Sequence, residues 1–223
     1  MENLQLITEK QDNFRSESMK IYTLGHSNYS IEKFLDILKT FNIECIVDIR
    51  GVPYSKYNVQ YDKEMLGYTL NKEGFKYIYM GNEFGANRLL GKESYNEEGY
   101  ADFSKVILEK SFKEGIKRLK NGCKKGYNIV LLGAMQEPIR CHRSILVGRE
   151  LTNKGFCVKH ILDDLTVVDQ KEIEKKILDK YYPNRHQISI DSLLGNEKSE
   201  EELIEEAYKE ANREIGRRVE KLD

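Results

Sequence analysis

The 223-residue chain has no tryptophan, three prolines and four cysteines. The thiols Cys45, Cys123, Cys141 and Cys157 show no C-x-x-C spacing, so they form neither a disulfide framework nor a zinc ribbon pattern. They read as free thiols in a reducing compartment. Long apolar runs are absent too, and no segment reads as a membrane span. The first eighteen residues are polar and mixed in charge, without the apolar centre of a signal peptide, so the expected location is cytoplasmic. No excess of one charge exists: 36 basic residues face 37 acidic ones. That balance gives no global case for nucleic acid or an anionic membrane. Neither G-x-G-x-x-G nor a Walker sequence occurs, and no cofactor is expected.

What is present is an ordinary globular composition, 39% hydrophobic and 33% charged, on a length that suits one α/β domain with an appendage. Residues 1–18 read as a polar tail. Lys20 to Leu24 reads as a strand, and Ser30 as the N-cap of a helix with Ile31, Phe34, Leu35, Leu38 and Phe41 on one stripe. Cys45 to Arg50 is the second strand, ended by Gly51-Val52-Pro53. A tyrosine-rich loop, Tyr54 to Tyr61, precedes a helix that stops at Gly74, and Lys76 to Met80 is the third strand. Gly81 to Glu98 has no period and reads as a long loop. Phe103 to Cys123 holds one or two helices, Ile129 to Leu132 the fourth strand, Arg143 to Asn153 its helix, and Cys157 to Ile161 the fifth strand. A helix over Asp169 to Tyr182 follows, then a linker over 183–196. Ser199 and Glu202 form a capping-box pattern for a last helix, with Ile204, Tyr208, Ala211 and Ile215 on one face.

This alternation predicts a three-layer α/β fold: a mostly parallel sheet of about five strands, helices on both faces, and a C-terminal helical extension. The expected division is tail 1–18, α/β domain 19–182, and linker with helix 183–223. The last helix is expected to dock on its own domain, with a homodimer seam as the alternative.

Four stretches carry a resemblance: Ile21 to Asn28, Val47 to Pro53, Gly99 to Phe103, and Pro138-Ile139-Arg140-Cys141-His142-Arg143. In this order they resemble the bacterial and archaeal family grouped as domain of unknown function 488, over roughly Ile21 to Tyr182. The resemblance implies a compact α/β fold with a shared polar edge, and no established activity. One position departs: members commonly have a cysteine after the strand that precedes Cys-His-Arg, where this chain has Gly133.

Asn128 to Arg149 is the stretch on which chemistry centres. An apolar strand ends at Gly133, and the next helical pattern opens with a thiol, an imidazole and two guanidiniums. Ligands of open α/β sheets bind beyond the carboxyl ends of strands. Cys141 near a helix N-terminus, flanked by Arg140 and Arg143, has the setting of a reactive thiol; a small buried packing residue is the even alternative. His142 offers acid–base chemistry, although adjacent helical residues point about 100° apart, which favours a local hydrogen bond instead. Arg140 and Arg143 suit a phosphate or carboxylate, against salt bridges to Asp48 or Glu137. Asp48 and Arg50 share one strand face and form either an internal ion pair or part of the site edge. His26 and Ser27 follow the first strand onto the same edge. Zinc binding by Cys141, His142, His26 and Cys45 is rejected on spacing, so no metal is expected. Tyr57, with Tyr54, Tyr61 and Lys56, could stack on a base.

The expected function is an enzyme acting on a small anionic or nucleotide-like ligand. Cys141, His142, Asp48 and His26 would be catalytic, and Arg50, Arg140, Arg143, Ser27 and Tyr57 would hold the substrate. One alternative is a nucleotide or single-stranded nucleic acid binding module, which the net charge does not favour. The other is an interaction protein dimerising through its last helix.

Overall fold

The computed structural model describes residues 19–88, 92–185, 187 and 198–218. The tail expected over 1–18 and most of the linker expected over 183–196 lie outside the described residues. The strands are β1 (Lys20–Gly25), β2 (Cys45–Asp48), β3 (Lys76–Tyr79), β4 (Ile129–Gly133), β5 (Cys157–Ile161) and β6 (Val167–Asp169). They form one sheet of order β3-β2-β4-β1-β5-β6. Every pairing among β1 to β5 is parallel, and β6 alone runs antiparallel, against β5. The longer helices are α1 (Ile31–Thr40), α2 (Lys63–Lys72), α3 (Lys110–Lys124), α4 (Arg149–Asn153), α5 (Gln170–Tyr181) and α6 (Glu200–Ile215).

Side chains of a strand alternate between faces, so each buried strand feeds two cores. Ile46, Val130 and Leu132 point to one side, against Phe34 and Leu38 of α1 and Leu66 and Leu70 of α2. Val47, Ile129, Leu131 and Val158 point to the other, against Phe112 of α3, Ile173 of α5, and Ala207, Tyr208 and Ala211 of α6. The expected three-layer α/β arrangement is what forms, with β6 added. Nor is Gly81 to Glu98 featureless among its described residues. It contains a helical turn at Gly81–Phe84 and a 3₁₀ turn at Lys92–Ser94. Its anchor is polar: buried Arg88 pairs with Glu109 and donates to the Glu83 and Gly85 carbonyls. An arginine clasp leaves no apolar period to read.

The helix after β4 starts as a π-helix, Arg143–Gly148, before continuing as α4. There the Gln170 side chain donates from Nε2 to the Ser144 carbonyl at 3.2 Å, a side-chain intrusion of the kind that widens a helix. Gln170 is one link of a buried polar chain. Its Nε2 also donates to Tyr208 Oη at 2.8 Å, so its Oε1 accepts from His160 Nε2 at 2.8 Å. His160 Nδ1 then accepts the Thr23 hydroxyl at 2.8 Å. Through these bonds α6 is tied to α5, β5 and β1. At its start α6 carries the full capping box between Ser199 and Glu202.

Candidate functional site

The carboxyl ends of β1, β2 and β4 meet at one edge. Gly25 pairs in register with Gly133. A Cβ on Gly25 would lie 1.8 Å from the Met135 carbonyl oxygen, so only glycine lets the turn after β4 cross the end of β1. His26 and Ser27 continue the ladder by donating to the Gly133 and Ala134 carbonyls at 3.0 and 2.9 Å. Ser27 adopts a left-handed φ of 45°, an uncommon conformation for a residue with a side chain.

Asp48 and Arg50 lie on the same side of the end of β2 and form a fork. Arg50 Nε donates to Oδ1 at 2.8 Å and Nη2 to Oδ2 at 2.6 Å. Asp48 also accepts the Arg50 main-chain N–H at 3.0 Å and the Tyr77 hydroxyl at 2.7 Å. Both members are buried, and this full set of partners is what makes a buried charge tolerable. Arg50 further donates to the Tyr61 carbonyl at 2.8 Å, and its Nη1 meets His26 Nε2 at 3.3 Å. His26 Nδ1 lies 2.9 Å from the Ser27 carbonyl, which fixes Nδ1 as the protonated nitrogen and leaves Nε2 to accept from Arg50. Burial and the neighbouring guanidinium push the His26 pKa down to about 4, so its ring is neutral at neutral pH. The ring stacks on Tyr61 with centroids 4.0 Å apart.

Cys141 follows a 3₁₀ turn, Pro138–Arg140, and is extended, with φ −134° and ψ 136°. Its carbonyl receives the Ser144 and Ile145 N–H groups at 3.1 and 3.2 Å, so it stands at the mouth of the helix rather than inside it. Because Cys141 is extended while His142 already has helical backbone angles, φ −58° and ψ −20°, the pair escapes the divergence of two successive helical side chains: Sγ lies 3.9 Å from His142 Nδ1. His142 Nε2 points the other way, 2.9 Å from the Ile49 carbonyl after β2, which holds the ring in place. Burial pushes the Cys141 thiol up, but the Arg143 guanidinium and the His142 ring outweigh it and bring the pKa down to about 6. Burial pulls His142 down, and the facing sulfur more than reverses that, so the imidazole is raised. The pair therefore favours thiolate and imidazolium.

Arg143 departs from expectation. Its side chain is fully buried and makes no salt bridge with Asp48 or Glu137. Instead Nη1 and Nη2 donate to the Met135 and Gln136 carbonyls, Nη2 at 2.7 Å. It braces the turn from inside. A Cβ at Gly133 would meet Cys141 Sγ at 3.0 Å and Arg143 Cδ at 3.3 Å.

A cleft of about 430 Å³ opens over this edge, with Arg50, Cys141, His142 and Arg140 among its lining residues. Its far wall is Glu214 and Ile215, at the end of α6. Of the residues singled out in the sequence, Cys141, His142, Asp48, Arg50 and His26 come together. Arg140 is exposed on the cleft wall, Ser27 is half-buried at its side, and Arg143 lies beneath. Tyr57 is 92% exposed and does not line the cleft. Tyr77 and the end of α6 were not evident from sequence, and Tyr61, expected in a loop that could stack on a base, instead stacks on His26 and gives its carbonyl to Arg50. Tyr77 carried a signal, since its side chain falls on the Asp48 side of the neighbouring strand, whereas nothing marked α6 as a wall. Among the described residues no group of His, Cys, Asp or Glu side chains is placed to hold a metal ion, and no helix is long and apolar enough to cross a membrane.

One family model, described as Domain of unknown function DUF488, matches residues 30–149, more than half of the chain. No curated protein and no solved structure matches.

Proposed function

The chain belongs to the family described as Domain of unknown function DUF488, and on that premise we propose that it is a thiol-dependent enzyme acting on a small anionic or nucleotide-like ligand. The observation that carries this reading is the Cys141–His142 pair, 3.9 Å apart, at the wall of a cleft. A thiolate is the nucleophilic form of cysteine, and an imidazolium beside it supplies the proton that a leaving group needs. Arg50 uses four of its five N–H donors on Asp48, Tyr61 and His26. The fifth, on Nη1, is left for a ligand oxygen. Arg140 adds a positive charge on the exposed wall. Asp48 and His26 act through Arg50, holding its orientation rather than touching the ligand.

Alkylation of the intact chain by iodoacetamide tests the reading. Cys141 is expected to label faster than Cys45, Cys123 and Cys157, with an inflection near the depressed thiol pKa. Inorganic phosphate or a nucleoside monophosphate is expected to slow that labelling and raise Tm, and Arg140→Ala to weaken both effects. Equal, slow labelling of all four thiols would refute the nucleophile; fast labelling indifferent to anions would refute the ligand class.

A further inference from the structure

Arg143 Nε is the single buried side-chain polar atom without a hydrogen-bond partner among the described residues. Buried donors in native structures are nearly always paired, so an orphan next to a nucleophile calls for an acceptor. The two other guanidinium nitrogens are committed to main-chain carbonyls, which fixes the plane of the group and leaves Nε–H waiting. Its neighbourhood is defined by Gly133. The point a Cβ would occupy there lies 3.0 Å from Cys141 Sγ and 3.3 Å from Arg143 Cδ, the carbon that bears Nε. The sulfur, the aliphatic stem of Arg143 that carries the orphan donor, and a backbone face without a side chain border one small space.

We propose that Cys141 is a site of oxidation by hydrogen peroxide, retained as a sulfenate whose oxygen accepts the Nε–H of Arg143. The proposal rests on the reading of Cys141 as a nucleophile and adds the class of reactant. Cys141 is only 3% exposed, so a small neutral oxidant reaches it far more readily than a bulky one. The thiolate attacks one peroxide oxygen; the S–O bond forms as the O–O bond breaks. The departing hydroxide takes the Nδ1 proton of His142 and leaves as water. The sulfenic acid then passes its own proton to the neutral His142, giving the sulfenate beside Arg143. Sulfur loses two electrons and the peroxide gains them; the net products are Cys141 sulfenate and one water.

No second thiol of the chain is placed to consume this product. Cys45 begins β2 and Cys157 begins β5. Cys123 Sγ lies against the Lys20 carbonyl at the start of β1. All three sit at the amino edge of the sheet, opposite Cys141. The sulfenate therefore persists until an external thiol reduces it.

The test treats the intact chain with hydrogen peroxide and traps sulfenic acid with dimedone, reading each cysteine by mass spectrometry. Cys141 is expected to carry the adduct at least about tenfold faster than the other three. The Arg143 Nε–H resonance in a nitrogen-15 spectrum is expected to shift on oxidation and return on reduction by dithiothreitol. Arg143→Lys keeps a charge but deletes Nε–H, and Gly133→Ala fills the space; each is expected to lower dimedone-trapped Cys141 about tenfold, the effect of losing a hydrogen bond to a charged group. The spectrum uses the unsubstituted chain, so the outcome stands even where Arg143→Lys does not fold. Fast iodoacetamide labelling of Cys141 with no dimedone adduct, or an Nε–H resonance that does not move, overturns the oxidation site alone. Slow iodoacetamide labelling overturns the nucleophile, and this proposal with it.

Discussion

Replacing Asp48 by leucine isolates the energetics of the site edge. The carboxylate is buried and accepts four hydrogen bonds, two of them from the Arg50 guanidinium. Asp48→Leu leaves that guanidinium in the interior with only the Tyr61 carbonyl and the His26 ring as partners. Breaking a buried pair in this way costs about 3–5 kcal/mol, mostly the penalty of an uncompensated charge. At about 2–4 °C per kcal/mol for a chain of this size, Tm falls by roughly 10 °C. Arg50→Met should cost a similar amount, because it strands the carboxylate. In the double variant both charges are gone and their shape is filled by apolar atoms, so the loss should be much smaller than the sum of the two. Urea unfolding of all four proteins, compared at unchanged m-value, reads these differences directly. Additive losses, or a single-variant loss below about 1 kcal/mol, would show that solvent reaches the pair and that the fork does not position Arg50.

Stability should fall as pH drops between about 6.5 and about 4. His26 and His160 are held neutral in the fold, chiefly by burial, with pKa values near 4. In that window the unfolded chain binds protons that the folded one refuses, at about 1.4 kcal/mol per pH unit for each group. His160→Gln should flatten the slope in urea titrations, and an unchanged slope would remove His160 from the account. Gly25→Ala drives a Cβ into the Met135 carbonyl, and calorimetry should show a loss above about 3 kcal/mol; a loss near that of a surface change would mean the turn after β4 moves freely. Ending the chain before Ser199 strips Ala207, Tyr208 and Ala211 from the core, so Tm should drop while light scattering finds the full chain monomeric; a dimer lost on truncation would instead make α6 a seam between copies.

Periodicity in the sequence was enough for the α/β layers because each strand from β1 to β5 is continuous and is followed by a helix or a turn. Boundaries drifted where polar side chains decide them. β6 is three residues long, shorter than any period can declare, and the Arg88 clasp follows no stripe. At the site, Asp48, Arg50, Cys141, His142 and His26 were legible because each ends or follows a parallel strand, which confines them to one edge. Their roles were less so. A helical angle between Cys141 and His142 separates them; the observed extended Cys141 brings them together. Arg143 looked like an anion ligand because it is charged, yet it spends two of its three nitrogens on carbonyls that only the folded turn presents. The part played by α6 depends on tertiary docking of a segment nearly sixty residues away in sequence from β4's turn, which local pattern does not encode.

The position of β1 bears on how the chain is made. β1 lies between β4 and β5, so its partners in the sheet are residues 129–133 and 157–160, far later in the sequence. On a ribosome, β2 can meet β3 and α1 early, while β1 waits without a sheet neighbour until more than a hundred further residues emerge. Sheet closure is then a late event, with a nascent chain carrying unpaired strand edges in the meantime. The Cys141 turn is completed later still, when the end of α6 leaves the exit tunnel and supplies its wall. Slowing translation between β1 and β4 should lengthen the period in which chaperones bind this chain, while slowing it after α6 should have no such effect.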